Sequence, residues 1–178
     1  MKITLVRHCE VQKEYIGCYN GHNSIGLSKD GDTQAKELSK ELSNLNFDAI
    51  FCSDLCRAKE SVKYFSPTKD IFYTDRLREK SWGKHEGLSF DEIIAQDEIE
   101  YIDFLQWIDA LDGESYKEYI KRVKAFFFEY LKSLQKENIL IITHAGVIRT
   151  FLSISRNISL QEAFKIKINY GDLIVENI

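Results

Sequence analysis

Lys2-Ile3-Thr4-Leu5-Val6-Arg7-His8-Cys9-Glu10 is the stretch from which the chain is read. Ile3, Leu5 and Val6 are the apolar, β-branched-rich residues of a strand buried in a sheet. Arg7 and His8 follow at its carboxyl end, where burial in a strand does not explain them. In open α/β sheets ligands gather at the carboxyl ends of strands. A guanidinium gives an oxyanion two parallel hydrogen bonds, and an imidazole is a nucleophile or base near neutral pH. A strand that merely ends in two polar residues is the plain alternative, so the rest of the chain has to decide.

Outward from this strand, strands and helices alternate. The 11–27 segment is a long loop with Gly17, Gly21 and Gly26 beside Tyr19, Asn20 and His22. Ser28 is a helix N-cap, followed by Ala35, Leu38 and Leu42 on one face. Phe47 to Cys52 is a second strand. Ser53 caps a helix that stops before Pro67, the only proline. Ile71 to Tyr73 is a third strand, and Leu77 to Gly87 an ordered loop carrying Trp82. Ser89 with Glu92, and Ser115 with Glu118, are capping boxes that each open a helix. The second helix carries an aromatic stripe from Tyr116 to Leu134, which belongs to the core. Asn138 to Thr143 is a fourth, wholly apolar strand that ends in His144-Ala145-Gly146. Ala163 to Ile168 and Asp172 to Val175 are expected to form a hairpin. The pattern is that of one domain over 1–178, an α/β three-layer sandwich with a mostly parallel central sheet.

The 178 residues suffice for one domain with a substantial core. A net charge of -4 with interleaved signs argues against a nucleic-acid or anionic-membrane surface. The sequence opens on a strand rather than a leader, and its apolar runs are too short to cross a bilayer, so the expected location is the cytoplasm. There the four cysteines, Cys9, Cys18, Cys52 and Cys56, are expected to remain thiols. Cys52 and Cys56 suit buried positions better than a zinc site.

If the sheet is parallel, three strand ends meet on one edge. The first brings Arg7 and His8, the second Ser53 and, one helical turn on, Arg57, and the fourth His144 beside Gly146. Singly, Arg57 could be a solvated helix charge and His144 a core histidine. Together they point to an oxyanion pocket that contains a nucleophile.

These residues, in order, resemble the histidine phosphatase (phosphoglycerate mutase-like) superfamily. The likeness rests on Arg7-His8 with Glu10, Cys52-Ser53 with Arg57-Ala58 and Ser61, Leu77-Arg78-Glu79 with Gly83 and Glu86-Gly87, and Thr143-His144 with Gly146. Asp112 to Ser115 and the short tail resemble its small bacterial members of the alpha-ribazole phosphatase type, which serve cobalamin biosynthesis. The resemblance implies a phosphomonoesterase without cofactor or metal. His8 would take the phosphoryl group, Arg7, Arg57 and His144 would hold its oxygens, and Glu79 would be acid and then base. Asn20, Gly21, His22 and Glu86 are candidates for binding the substrate, with Glu86 also a rival to Glu79. The partner is a small phosphate ester, with alpha-ribazole-5'-phosphate the first choice. The oligomeric state is open, a homodimer being one option. A mutase or sugar-phosphate phosphatase is the second reading, and a non-catalytic phosphate-binding module the third.

Two positions depart from the family's pattern. Cys9 stands where glycine is usual, which suggests a low-pKa thiol open to oxidation. Glu14 stands where asparagine is common. A carboxylate there must turn outward or face a substrate group that can donate to it.

Overall fold

The computed structural model describes residues 1–178. Five strands lie in the order β3-β2-β4-β1-β5: β1 (Lys2–Arg7), β2 (Ala49–Ser53), β3 (Ile71–Thr74), β4 (Asn138–Thr143) and β5 (Leu173–Asn177). The first four run parallel, and β5 closes one edge antiparallel to β1. Parallel strands are covered on both faces, which is why β1, β2 and β4 are apolar throughout rather than alternating.

Successive side chains point to opposite faces and so feed two cores. Ile3, Leu5, Phe51, Ile139 and Ile141 pack with Trp107, Val123, Phe126, Phe127 and Phe151. On the other face Val6, Ile50, Leu140 and Ile142 meet Leu38 and Leu42 of α1 (Lys29–Ser43) and Ala58 of α2 (Cys56–Ser61). The first face is covered by α4 (Phe104–Ala110), α5 (Tyr116–Lys124) and α7 (Ala145–Ser155). The result is the three-layer α/β sandwich expected from the sequence. Short helices α3 (Phe90–Ile94), α6 (Leu131–Ser133) and α8 (Leu160–Phe164) complete the inventory. A π-helical stretch, Ala125–Tyr130, joins α5 to α6, so the aromatic stripe runs along one nearly continuous helix.

Register aligns the strand ends. Arg7 pairs with Thr143 and Cys52 with Ile142. His8 and His144 are therefore the residues one step beyond β1 and β4, and Ser53 is the last residue of β2 beside them. Caps place the helices as expected: Ser28 accepts from Gly31 N, and Ser89 with Glu92 forms a full capping box.

Two expectations fail. The C-terminal hairpin does not exist, because 160–164 is helical and only Leu173–Asn177 is a strand, paired with β1. The alternation in Ala163 to Ile168 imitates a strand, but Ser159 and Glu162 form a capping box that starts a helix there, and Ala163 is buried. Helix α4, absent from the sequence reading, begins at Asp103, whose carboxylate accepts from Leu105 N and Gln106 N. No helix is long and apolar enough to cross a membrane.

Candidate active site

Arg7, His8, Asn20, Glu79 and Gly146 line one cavity of about 280 Å³ at the carboxyl edge of the sheet. His8 is fixed from two sides. Its amide donates to the Thr143 carbonyl (2.9 Å), and its own carbonyl accepts from Gly171 N (3.3 Å). The ring contact sets the tautomer: Nδ1 lies 2.8 Å from the Cys9 carbonyl, which can only accept. Nδ1 therefore carries the hydrogen, and Nε2 keeps its lone pair. Burial first, then the charges of Arg57 and Arg7, hold the imidazole well below its ordinary range, so it stays neutral and nucleophilic.

Arg7 stacks on Tyr170 with its guanidinium carbon 3.8 Å from the ring centre, and Nη1 donates to the Ile168 carbonyl (2.7 Å). The His144 ring lies 5.1 Å from that of His8. The Ser53 hydroxyl accepts the Leu55 N–H (3.4 Å) and is hydrogen-bonded to His144 Nε2 at 2.9 Å. Ser53 thus bonds a histidine and does not cap the helix as expected: the N-cap of α2 is Leu55, with no side-chain capping bond. Burial and Arg57 also hold His144 well below the usual imidazole range.

Arg57 and His144 are each 1% exposed and lie outside the cavity lining. Arg57 donates to the carbonyls of Asn20 (3.0 Å), Gly21 (2.6 Å) and Asn23 (3.1 Å). Arg7 Nε, Arg57 Nε and His144 Nδ1 are buried and have no hydrogen-bond partner. Buried donors are normally satisfied. Two unsatisfied guanidinium donors, with the unpartnered His144 Nδ1, suit an anion with several oxygens.

Glu79 forms the wall. Its Oε1 accepts from the Tyr119 hydroxyl (2.7 Å) and Lys80 N (3.1 Å), and its Oε2 from Gly146 N (2.8 Å) in the first turn of α7. A Cβ on residue 146 would sit 2.2 Å from Glu79 Oε1, so only glycine permits this approach. The Glu79 carbonyl accepts from His22 Nε2 (3.0 Å) and Arg122 Nη2 (3.3 Å).

The remaining candidates separate. Asn20 lines the cavity; Gly21, His22 and Glu86 do not. Glu86 is occupied by the amides of Gly21 (2.7 Å), His22 (2.7 Å), Trp82 (3.0 Å) and Asn23 (3.4 Å). With Arg57 on the carbonyls and Glu86 on the amides, the 20–23 loop is held on both of its polar sides. Gly21 is required there, since a Cβ would lie 2.3 Å from the Lys80 carbonyl. Glu14 is exposed and does not line the cavity. The reading of Cys9 as a low-pKa thiol fails: the residue is fully buried, and burial pushes the thiol up. Its amide donates to Ser61 Oγ (2.8 Å). No three His, Cys, Asp or Glu side chains gather as a metal-binding group.

Sequence reasoning missed Tyr119, Arg149 and Tyr170, all on the cavity. Tyr119 had a signal. A tyrosine inside a stripe otherwise buried against a sheet needs a partner for its hydroxyl.

Comparison with known proteins agrees with this geometry. The model of the histidine phosphatase superfamily (branch 1) matches residues 3–177. A Schizosaccharomyces pombe protein named as a phosphatase is 31% identical over 153 residues, 83% of this chain and 70% of its own length. The adenosylcobalamin/alpha-ribazole phosphatase of Salmonella typhimurium is 29% identical over 158 residues, 86% of this chain and 78% of its own. In fold, the alpha-ribazole phosphatase from Shigella flexneri superposes with a TM-score of 0.87 at 23% identity, covering 100% of this chain and 91% of the other. The chain belongs to the histidine phosphatase superfamily and is a phosphoric monoester hydrolase acting on small phosphate esters.

Proposed function

We propose that this domain, residues 1–178 as one unit, hydrolyses its ester through a phosphohistidine on His8. The observation that carries the proposal is the bond from His8 Nδ1 to the Cys9 carbonyl, which leaves Nε2 as the one ring nitrogen able to attack. Nε2 forms a bond to phosphorus as the ester oxygen leaves, and that oxygen takes a proton from the Glu79 carboxyl. Water then attacks phosphorus, Glu79 takes a proton from it, and the P–N bond breaks to release phosphate. Arg7, Arg57 and His144 hold the equatorial oxygens through both steps, the guanidiniums supplying the positive charge that phosphoryl transfer requires. Asn20 borders the ester side.

For the substrate we propose alpha-ribazole-5'-phosphate, which places the enzyme in cobalamin assembly. Support comes from the Salmonella relative, which aligns over 86% of this chain. Lys80 and Arg149 also line the cavity and favour a second reading, a phosphorylated hydroxy acid whose carboxylate they would meet. We place the enzyme in the cytoplasm, where its four free thiols would stay reduced.

The test is phosphate release from p-nitrophenyl phosphate in the presence of a chelator, by wild type and His8→Ala. The variant should fold and lose about 10³-fold or more in kcat, the scale of removing a covalent nucleophile. Near-normal turnover by His8→Ala would end the proposal, and loss of wild-type activity with chelator would contradict metal-free chemistry. Alpha-ribazole-5'-phosphate should then exceed phosphoserine and 3-phosphoglycerate in kcat/KM.

A further inference from the structure

A second cavity, of about 510 Å³, opens beside the first, and every residue lining it is apolar or aromatic. Tyr19, Trp82, Ile108 and Phe164 line both, so the two spaces share walls. The first holds Arg7, Lys80, Arg149 and Glu79; the second holds no charged side chain. Trp107 Nε1 is committed to the Tyr19 hydroxyl (2.6 Å), which leaves the second only the hydroxyl hydrogens of Tyr19 and Tyr101 and the Trp82 Nε1–H as polar groups. Its rings brace one another: Phe90 lies 4.9 Å and Tyr101 5.8 Å from Trp107, and Tyr19 meets Trp82 edge-on at 5.1 Å. Yet Phe90 is 39% and Tyr101 49% exposed, so this cluster is open to solvent rather than closed as core.

We infer that this chamber is the subsite for the leaving alcohol, and that it takes a planar, apolar aryl or heterocyclic ring. The inference rests on the phosphatase reading of His8 and adds to it the chemistry of the group beyond the ester oxygen. Adjacency decides the occupant, since the two cavities share Tyr19, Trp82, Ile108 and Phe164 as walls. An ester whose phosphorus faces His8 can project its alcohol past the shared wall of Tyr19 and Trp82 into the chamber. A ring there gains aromatic faces on several sides. A carboxylate would lose water and find no cation, and a polyhydroxylated group would find only the few polar atoms of Tyr19, Tyr101 and Trp82. The chamber therefore discriminates between esters that bind the phosphate pocket equally.

The experiment compares 2-naphthyl phosphate with phenyl phosphate, whose leaving phenols are of similar acidity and differ by one fused ring. Wild type should show a KM about tenfold lower for the naphthyl ester, the scale of one additional buried stacked ring. In Tyr101→Ala and Phe90→Ala, both outside the phosphate cavity, the naphthyl-to-phenyl ratio of kcat/KM should fall about three- to tenfold. Free 2-naphthol should compete with the naphthyl ester and quench tryptophan fluorescence from Trp82 and Trp107. Equal KM values for the two esters in wild type overturn the inference while leaving the phosphatase reading intact, as does an unchanged ratio in folded variants. If a variant does not fold, the wild-type comparison decides alone. If wild type hydrolyses neither ester, the phosphatase reading has failed and the chamber's role falls with it.

Discussion

His8 and Glu79 face the same cavity, but they are held there in different ways. His8 follows directly on β1, and its amide and carbonyl are bonded to Thr143 and Gly171. Glu79 lies on a loop and is placed by Tyr119 of α5, by Gly146 of α7 and, through its carbonyl, by His22 and Arg122. The nucleophile inherits its position from the sheet, whereas the acid depends on side chains from separate elements. The floor is thus rigid by construction. The wall is adjustable, and single substitutions can move it without touching the sheet.

Four measurements would break or sharpen this contrast. Glu79→Gln keeps the shape of the wall but removes the proton, and should cost about 10²- to 10⁴-fold on alkyl phosphates, the range of general acid catalysis. Activated aryl phosphates, which need little help in leaving, should lose far less. Equal losses on both would assign the proton to another group. The floor should show itself in the pH profile. The pKa values of His8 and His144 both lie well below the ordinary 6.5, through burial and then Arg57. Activity should persist as pH falls through 6.5 and fail only lower, when His8 protonates; a kcat/KM profile with its acid limb at 6.5 would contradict the burial argument. Stability runs with the same sign. The unfolded histidines take up protons below 6.5 while the folded ones do not, so thermal stability should begin to drop there. The smallest effect belongs to Tyr119→Phe. It removes one hydrogen bond to Glu79, worth about 0.5–1.5 kcal/mol, and should cost roughly 2- to 10-fold in kcat. The loss should be greater for alkyl than for aryl esters, because Tyr119 acts through the acid. A uniform loss would mean that the hydroxyl serves only packing.

The same contrast explains what the sequence made legible. Arg7, His8, Ser53 and His144 lie next to apolar runs, and a parallel sheet puts the ends of such runs on one edge, so the floor follows from strand pattern alone. Glu79 required the Leu77-Arg78-Glu79 motif. Nothing local announces that Tyr119, forty residues later, would donate to it. Helical periodicity marked Tyr119 as inward-facing but could not say which partner lay there. Glu86, the rival to Glu79, has its carboxylate taken up by loop amides, which no spacing rule reveals. The tail misled because Ala163 to Ile168 alternates as a strand would, while the deciding contact was a capping box four residues earlier.

The strand that carries the nucleophile pairs with β4 and β5, which lie more than 130 residues further along the chain. During synthesis β1 is made first and waits for both neighbours, with its hydrogen-bonding edges unpaired. Such distant pairings form slowly and leave an emerging chain prone to association. Tyr170, under Arg7, and Gly171, on the His8 carbonyl, arrive later still. A nascent chain therefore cannot assemble its phosphate pocket until residue 171 has left the ribosome, and translation itself keeps the unfinished domain silent.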